Sequence, residues 1–201
     1  MEYSTLIHLF GVFFFGISGA LMGVKAKLDL FGVAFIAGVS ALGGGTIRDI
    51  FIGHYPLSWV NDPRYILAVL AGTLVAIFMR YRLAKIKNFI FVIDSLGIGF
   101  FTVSAVRICL AENLNPGIAL VFGVLSVILG GLIRDIICNE VPMILRRELV
   151  ATASLIGGLL FLLFQSIDMP LTFSTILATG SVLAIRVLGL KYKWQLPIMT
   201  L

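Results

Sequence analysis

Charged residues stand at places in this chain where an apolar setting penalises them. Arg48-Asp49 and Arg134-Asp135 each close the same signature, Gly44-Gly45-Thr46-Ile47-Arg48-Asp49 and Gly130-Gly131-Leu132-Ile133-Arg134-Asp135. Asp94 and Arg186 are single charges inside two further apolar runs, 89–106 and 170–190. A charge in the middle of a membrane costs at least about 2.5–3.5 kcal/mol on insertion scales, so it faces a partner or water. Arginine–aspartate pairs there either knot helices together or gate a hydrophilic path, and the sequence supports both equally. Helix neighbours do not face each other. Pairing across the two copies is therefore expected, Arg48 with Asp135 and Arg134 with Asp49, with Asp94 and Arg186 as further partners.

Other groups stand at matched places. Ser18, Ser104, Ser40, Ser126 and Thr46 put hydroxyls at corresponding depths, either lining a path or bonding back to their own helices. Gly43-Gly44-Gly45 and Gly130-Gly131 each fall within an apolar run. Glycine costs up to about 1 kcal/mol relative to alanine inside a helix, so consecutive glycines mark a kink or an unwound turn. Free carbonyls and amides at such a break would suit ions, and close helix packing through small residues is the alternative. Phe14-Phe15 and Phe100-Phe101 are packing or lipid-facing residues, or else a hydrophobic constriction. His8 near a helix start is structural, and Cys109 and Cys138 are inert apolar fillers. No nucleotide-binding loop, HExxH, CxxC or nucleophile motif is present, and no enzyme or cofactor is expected.

The elements that must position these groups are membrane helices. Of 201 residues, 60% are hydrophobic and 12% charged, against about 45–50% apolar and about 25% charged in soluble domains. The net charge of +5 comes from short basic clusters between apolar runs, which excludes nucleic-acid binding as its meaning. Charges bracket seven apolar intervals, 3–24, 30–47, 65–79, 89–106, 113–133, 149–167 and 170–190, each near the length a bilayer core requires. The fold class is an all-α polytopic membrane protein with seven transmembrane helices. Loops after the first, third and fifth intervals and the C-terminus carry Lys25, Lys27, Arg80, Arg82, Lys85, Lys87, Arg146, Arg147, Lys191 and Lys193, against Arg64 and Arg107 opposite. The positive-inside rule then puts the N-terminus outside and the C-terminus in the cytoplasm. The basic face would also attract anionic lipid headgroups.

Sliding the chain by 86 residues, the offset between Gly44 and Gly130, also matches Gly11 to Gly97 and Phe14-Phe15 to Phe100-Phe101. Ser18 falls on Ser104, Ser40 on Ser126, Pro56 on Pro142, and Gly72 on Gly158; His8 falls on Asp94. Each copy holds three helices, and an odd number turns the second copy upside down. The expected single membrane domain, 1–201, divides into a three-helix repeat over 3–84, an inverted repeat over 88–169, and a seventh helix with the C-terminus over 170–201. Inverted repeats with interrupted helices recur in proteins that move solutes, with the site at the repeat interface.

The doubled Gly-Gly-x-Ile-Arg-Asp signature, the three-plus-three repeat, the Arg186 helix and the closing run at 191–197 resemble the prokaryotic trimeric intracellular cation (TRIC) channels. A related bacterial inner-membrane family carries a glycine-transporter domain. The resemblance spans nearly the whole chain. It implies a homotrimer with one pore per protomer, permeable to K⁺ and less selectively to Na⁺, with lipid contacts near basic residues. It also implies helices bent at Gly44, Gly45, Gly130 and Gly131. The chain has no charged tail such as animal members use, so a prokaryotic plasma membrane is expected over endoplasmic reticulum. The absence of Thr-Val-Gly-Tyr-Gly predicts weak selectivity. A secondary transporter of a small amino acid such as glycine is the competing expectation, and a lipid-binding scaffold without flux the third.

Overall fold

A computed structural model describes residues 2–83, 88–145 and 149–194, and the side chains of these except 2–4, 82 and 83. Lys85, Lys87, Arg146, Arg147, the Arg82 side chain and the end of the closing run, 195–197, lie outside the described residues.

Every regular element described is helical: α1 (Glu2–Lys25), α2 (Leu30–Ile52), α3 (Ser58–Asn61), α4 (Arg64–Leu83), α5 (Phe89–Ala111), α6 (Pro116–Ile137), α7 (Val150–Ser166) and α8 (Leu171–Tyr192), with a 3₁₀ turn at Met143–Leu145. Six of these, α1, α2, α4, α5, α6 and α8, are long and apolar enough to cross a membrane, and α7 is a shorter apolar helix of 17 residues. In hydrocarbon a chain satisfies its backbone groups most simply within helices, which is why bilayer-length apolar runs take this form. Start signals are local: Asp29 accepts from the Gly32 amide and Asn115 from the Gly117 amide, each satisfying an amide that lacks an intrahelical partner.

Six helices overrun the charges expected to bound them, α1 by taking in Glu2 and Lys25 and α8 by taking in Lys191. α2 continues from Ile47 to Ile52 and α6 from Ile133 to Ile137, so both Arg-Asp pairs lie inside helix. α5 carries Arg107 within its last turns, and α4 reaches Leu83. The α2 and α6 ends differ from expectation because buried side-chain pairing, and not water, satisfies the signature charges.

α1 and α5, the corresponding helices of the two copies, are the most buried spans and pack along each other at the centre. α2 and α4 flank α1; α6, α7 and α8 flank α5; α2 and α6 close the bundle against one another. The matched phenylalanines meet across the central contact. The Phe14 and Phe100 rings stack at 5.9 Å, and the Phe15 and Phe101 rings meet edge-on at 5.4 Å. They are packing residues. Large apolar side chains cover the outer face, among them Phe31, Phe51, Leu67, Phe78, Leu163 and Phe173, as expected of a surface solvated by lipid.

The glycine runs do not interrupt their helices. Helical structure continues through Gly43, Gly44 and Gly45 and through Gly130 and Gly131, so neither run is an unwound turn. Gly44 and Gly130 instead bring two backbones together. A Cβ on Gly44 would strike the Ser126 carbonyl oxygen, and one on Gly130 would lie 2.8 Å from the Ser40 carbonyl oxygen. Gly43 faces open space apart from the tip of Ile133. The glycines at this crossing serve close packing, as small residues do between membrane helices.

Candidate functional site

Each signature arginine closes on its own neighbour. Arg48 Nε and Nη2 donate to Asp49 Oδ1 at 2.9 and 2.6 Å, and Arg134 Nε donates to Asp135 Oδ1 at 2.8 Å. The expected exchange between copies, Arg48 with Asp135 and Arg134 with Asp49, is absent. The Cβ atoms of adjacent helix residues do diverge, but an arginine stem is long enough to wrap back to the next carboxylate. The other aspartate oxygen pins the chain beyond the helix. Asp49 Oδ2 accepts from the Ser58 amide at 2.9 Å and its hydroxyl at 2.7 Å, and Asp135 Oδ2 accepts from the Met143 amide at 2.9 Å. Each carboxylate thus sits at the start of a short helical turn, where free amides suit an anion.

Around the second signature the charges form one connected cluster. Asp94 Oδ1 accepts from Arg134 Nη1 at 2.8 Å and from the Ser18 hydroxyl at 3.0 Å. Arg134 Nη1 also donates to Ser18 Oγ at 3.0 Å, and Arg186 Nη1 donates to Asp94 Oδ2 at 3.2 Å. Arg186 lies over the Phe91 ring, 4.6 Å from its centre. Asp94, Arg134, Asp135 and Arg186 are all buried. Two positive and two negative groups balance, and α1, α5, α6 and α8 are tied at one place. Of the further partners expected, Asp94 meets Arg134, and Arg186 meets Asp94.

Around the first signature the partners are different. His8 takes the place corresponding to Asp94 and meets the Tyr65 hydroxyl, Nδ1 to Oη, at 2.9 Å. Its ring packs edge-on to both Tyr65 and Phe101. Thr46 Oγ1 donates to the Leu42 carbonyl and accepts from Trp59 Nε1 at 3.0 Å. Ser104, the counterpart of Ser18, donates only to the Phe101 carbonyl of its own helix, and Ser126 likewise donates to Phe122. Among the sites expected from sequence, the structure therefore joins Ser18, Asp94, Arg134, Asp135 and Arg186 in one cluster. It gathers Gly45, Arg48 and Asp49 with His8 in another, beside which Thr46 bonds Trp59, and leaves Ser104 in neither. Gly131 stands beside Arg134, 3.7 Å from Nη2 by the position of a Cβ.

Small cavities adjoin both clusters, about 10 Å³ beside the first signature and about 20 Å³ beside the second. Each has room for about one water molecule. Neither admits a hydrated ion in this conformation. Cys109 and Cys138 are free and buried, and no group of metal-ligating side chains occurs among the described residues.

Sequence reasoning missed Ser58, Trp59, Tyr65 and Met143, although the matched Pro56 and Pro142 mark the segments that carry them. It also missed two ties between the copies. Lys25 Nζ donates to Glu140 at 2.8 Å, and His54 Nδ1 lies 2.7 Å from Glu112. They join the C-terminal ends of α1 and α6, and of α2 and α5. His54 and Glu140 correspond under the 86-residue shift.

The family described as glycine transporter matches the chain twice, over residues 5–81 and 91–166. The inner membrane protein YadS of Escherichia coli (strain K12) is 34% identical over 97% of this chain and 95% of its own length. A membrane protein of Vibrio cholerae serotype O1 is 35% identical over 98% of this chain and 82% of its own. Among solved structures, the TRIC trimeric intracellular cation channel orthologue from Rhodobacter sphaeroides superposes with a TM-score of 0.86 and 30% identity, covering 96% of this chain and all of that one. With two matches that span most of its length, the chain belongs to the glycine transporter family, and its fold is that of the prokaryotic TRIC channels.

Proposed function

We propose that the protein is a passive channel for monovalent cations, permeable to K⁺ and less selectively to Na⁺. The observation that carries this is the match to a TRIC channel orthologue over almost the entire chain. The chain crosses the membrane seven times, with α7 as the sixth crossing, and its two three-helix units insert in opposite senses. The ties from α1 to α6 and from α2 to α5 support that arrangement, because it brings those helix ends to common faces. Basic residues put the C-terminus in the cytoplasm of a prokaryotic cell. Three copies assemble, each with its own path, and the basic face binds anionic lipid. The permeant ions are K⁺ and Na⁺, and no enzymatic chemistry or cofactor is involved.

The path runs between the two units beside α2 and α6. Ser18, Thr46, Arg48, Asp49, Asp94, Ser104, Arg134, Asp135 and Arg186 line or gate it; Gly44 and Gly130 let the two helices approach, and Gly43, Gly45 and Gly131 let them bend. Cavities of about 10 and 20 Å³ correspond to a closed state, and conduction requires the α2–α6 contact to loosen. Planar-bilayer recording of the purified protein tests this: unitary K⁺ currents are expected. Saturable glycine uptake into liposomes without such currents would overturn the channel in favour of a transporter, the alternative supported by the family description. Mass measurement in detergent tests the trimer, and a monomer would refute it.

A further inference from the structure

We propose that the cavity beside the first signature is a small-anion site of halide size, held by Arg48 and His8 and filled together with a proton on His8. Corresponding places in the two copies are asymmetric. In the second copy, Arg134 Nη1 meets the Asp94 carboxylate at 2.8 Å. In the first copy, Arg48 is 1% exposed, and its Nη1 makes no hydrogen bond to the described protein. The residue corresponding to Asp94 is His8, which carries no carboxylate. Burying a guanidinium nitrogen without an acceptor is costly.

A cavity borders Arg48, the residue whose nitrogen lacks that acceptor. Its wall includes His8, Gly45, Arg48, Asp49, Ser58, Trp59, Tyr65 and Phe101, and its polar groups select what can enter. Asp49 faces it, but both oxygens are already engaged, Oδ1 by Arg48 Nε and Nη2 and Oδ2 by the Ser58 amide and hydroxyl. Trp59 Nε1 is spent on Thr46. What remains is Arg48 Nη1 and the Nε2 edge of His8. The point where a Gly45 Cβ would sit lies 3.9 Å from His8 Nε2, 3.8 Å from Arg48 Nη2 and 3.3 Å from the Phe101 ring. Glycine thus keeps this space open.

Charge balance decides the class of occupant. Arg48 and Asp49 already cancel, so an anion alone would leave one negative charge in a dry site. His8 solves this. As imidazolium it donates through both ring nitrogens, Nδ1 to the Tyr65 oxygen and Nε2 into the cavity. One proton and one monovalent anion then give two positive and two negative groups, the balance that Asp94, Asp135, Arg134 and Arg186 reach in the second copy. Arg48 acts on His8 from α2 and Tyr65 bonds it from α4, with Phe101 the contact from α5, His54 acting at longer range and Asp49 lining the same cavity. A cavity with room for about one water admits a halide with slight expansion and excludes larger carboxylates.

The test uses purified full-length protein and bromide. In KBr compared with potassium gluconate of equal ionic strength, the unfolding midpoint should rise, and more at the acid end of the range from about pH 5 to 8 in which imidazoles change charge. His8→Asp supplies an internal carboxylate and Gly45→Ala fills the space, so both should lose the bromide response, while Gly131→Ala, at the corresponding place in the second copy, should keep it. Crystals grown in bromide should show an anomalous peak beside Arg48 Nη1, a readout that does not depend on any variant folding. Water density alone at that position would overturn the proposal, as would an equal bromide response in wild type and His8→Asp. The readout is binding, so it stands apart from whether K⁺ current is observed.

Discussion

The two copies of the signature share seven residues' worth of register and the same intrapair contact, yet they sit in different electrostatic company. Around Arg134 the neighbours are a carboxylate, a serine hydroxyl and a second arginine, all buried. Around Arg48 they are a histidine–tyrosine pair and a short helix that returns to Asp49. The second copy is a closed network in which removing one member strands the others. In the first, the Arg48–Asp49 pair has no second charged partner, and Arg48 keeps an unused donor and borders a cavity. A duplicated element thus keeps its backbone-supporting contact, the aspartate that pins the following turn, while the surrounding shell diverges.

That difference can be broken most forcefully at Asp94. Asp94→Ala leaves Arg134 and Arg186 without their shared counter-charge and should destabilise by about 3–5 kcal/mol. His8→Ala, at the corresponding place, loses a neutral hydrogen bond and packing, and should cost less, about 1–3 kcal/mol. Thermal unfolding in detergent checks both, and equal losses would mean that the two shells are energetically alike. Next in size is the helix crossing that both copies build. Gly44→Ala should cost about 1–3 kcal/mol by overpacking against Ser126. Gly43→Ala, one residue away and facing open space, should be neutral or gain up to about 1 kcal/mol of helix propensity.

The matched serines sharpen the comparison further. Ser18→Ala removes a hydroxyl that bridges two charged groups and should cost about 1.5–3 kcal/mol, whereas Ser104→Ala removes only a bond to its own helix, worth about 0.5–1.5 kcal/mol. Similar values for the two would show that the Asp94 cluster does not depend on Ser18. The smallest effect is expected outside the spans, where hydrogen bonds from the Arg64 side chain and amide hold the Asp62 carboxyl below the usual carboxylate range. A lowered folded-state value stabilises above the unfolded-state pKa and is lost as pH falls through the folded one. Asp62→Asn should therefore erase a slight acid sensitivity, seen as a flatter pH dependence of the unfolding midpoint below about pH 4.

Much of the architecture was legible because lipid leaves a chain few choices. Apolar runs of bilayer length become helices, and the doubled signature announced two related units. The helices run past Ile47 and Ile133 because a charge is no boundary where it is paired: Arg48 and Arg134 stay helical by bonding the next residue. The glycine runs show the same limit. Their cost in a helix was plain from residue type, but nothing in one strand of sequence shows that Gly44 and Gly130 press on each other's helices.

By itself the sequence determined the helical class, six apolar helices of bilayer length, the internal duplication and the substitution of His8 for Asp94, since hydrophobicity and residue identity are local properties. Tertiary structure alone decided which carboxylate each arginine meets, that Ser18 joins a cluster while Ser104 does not, and that a cavity opens beside Arg48. Those outcomes depend on the direction of long side chains and on the distance between helices far apart in the chain, which only packing sets.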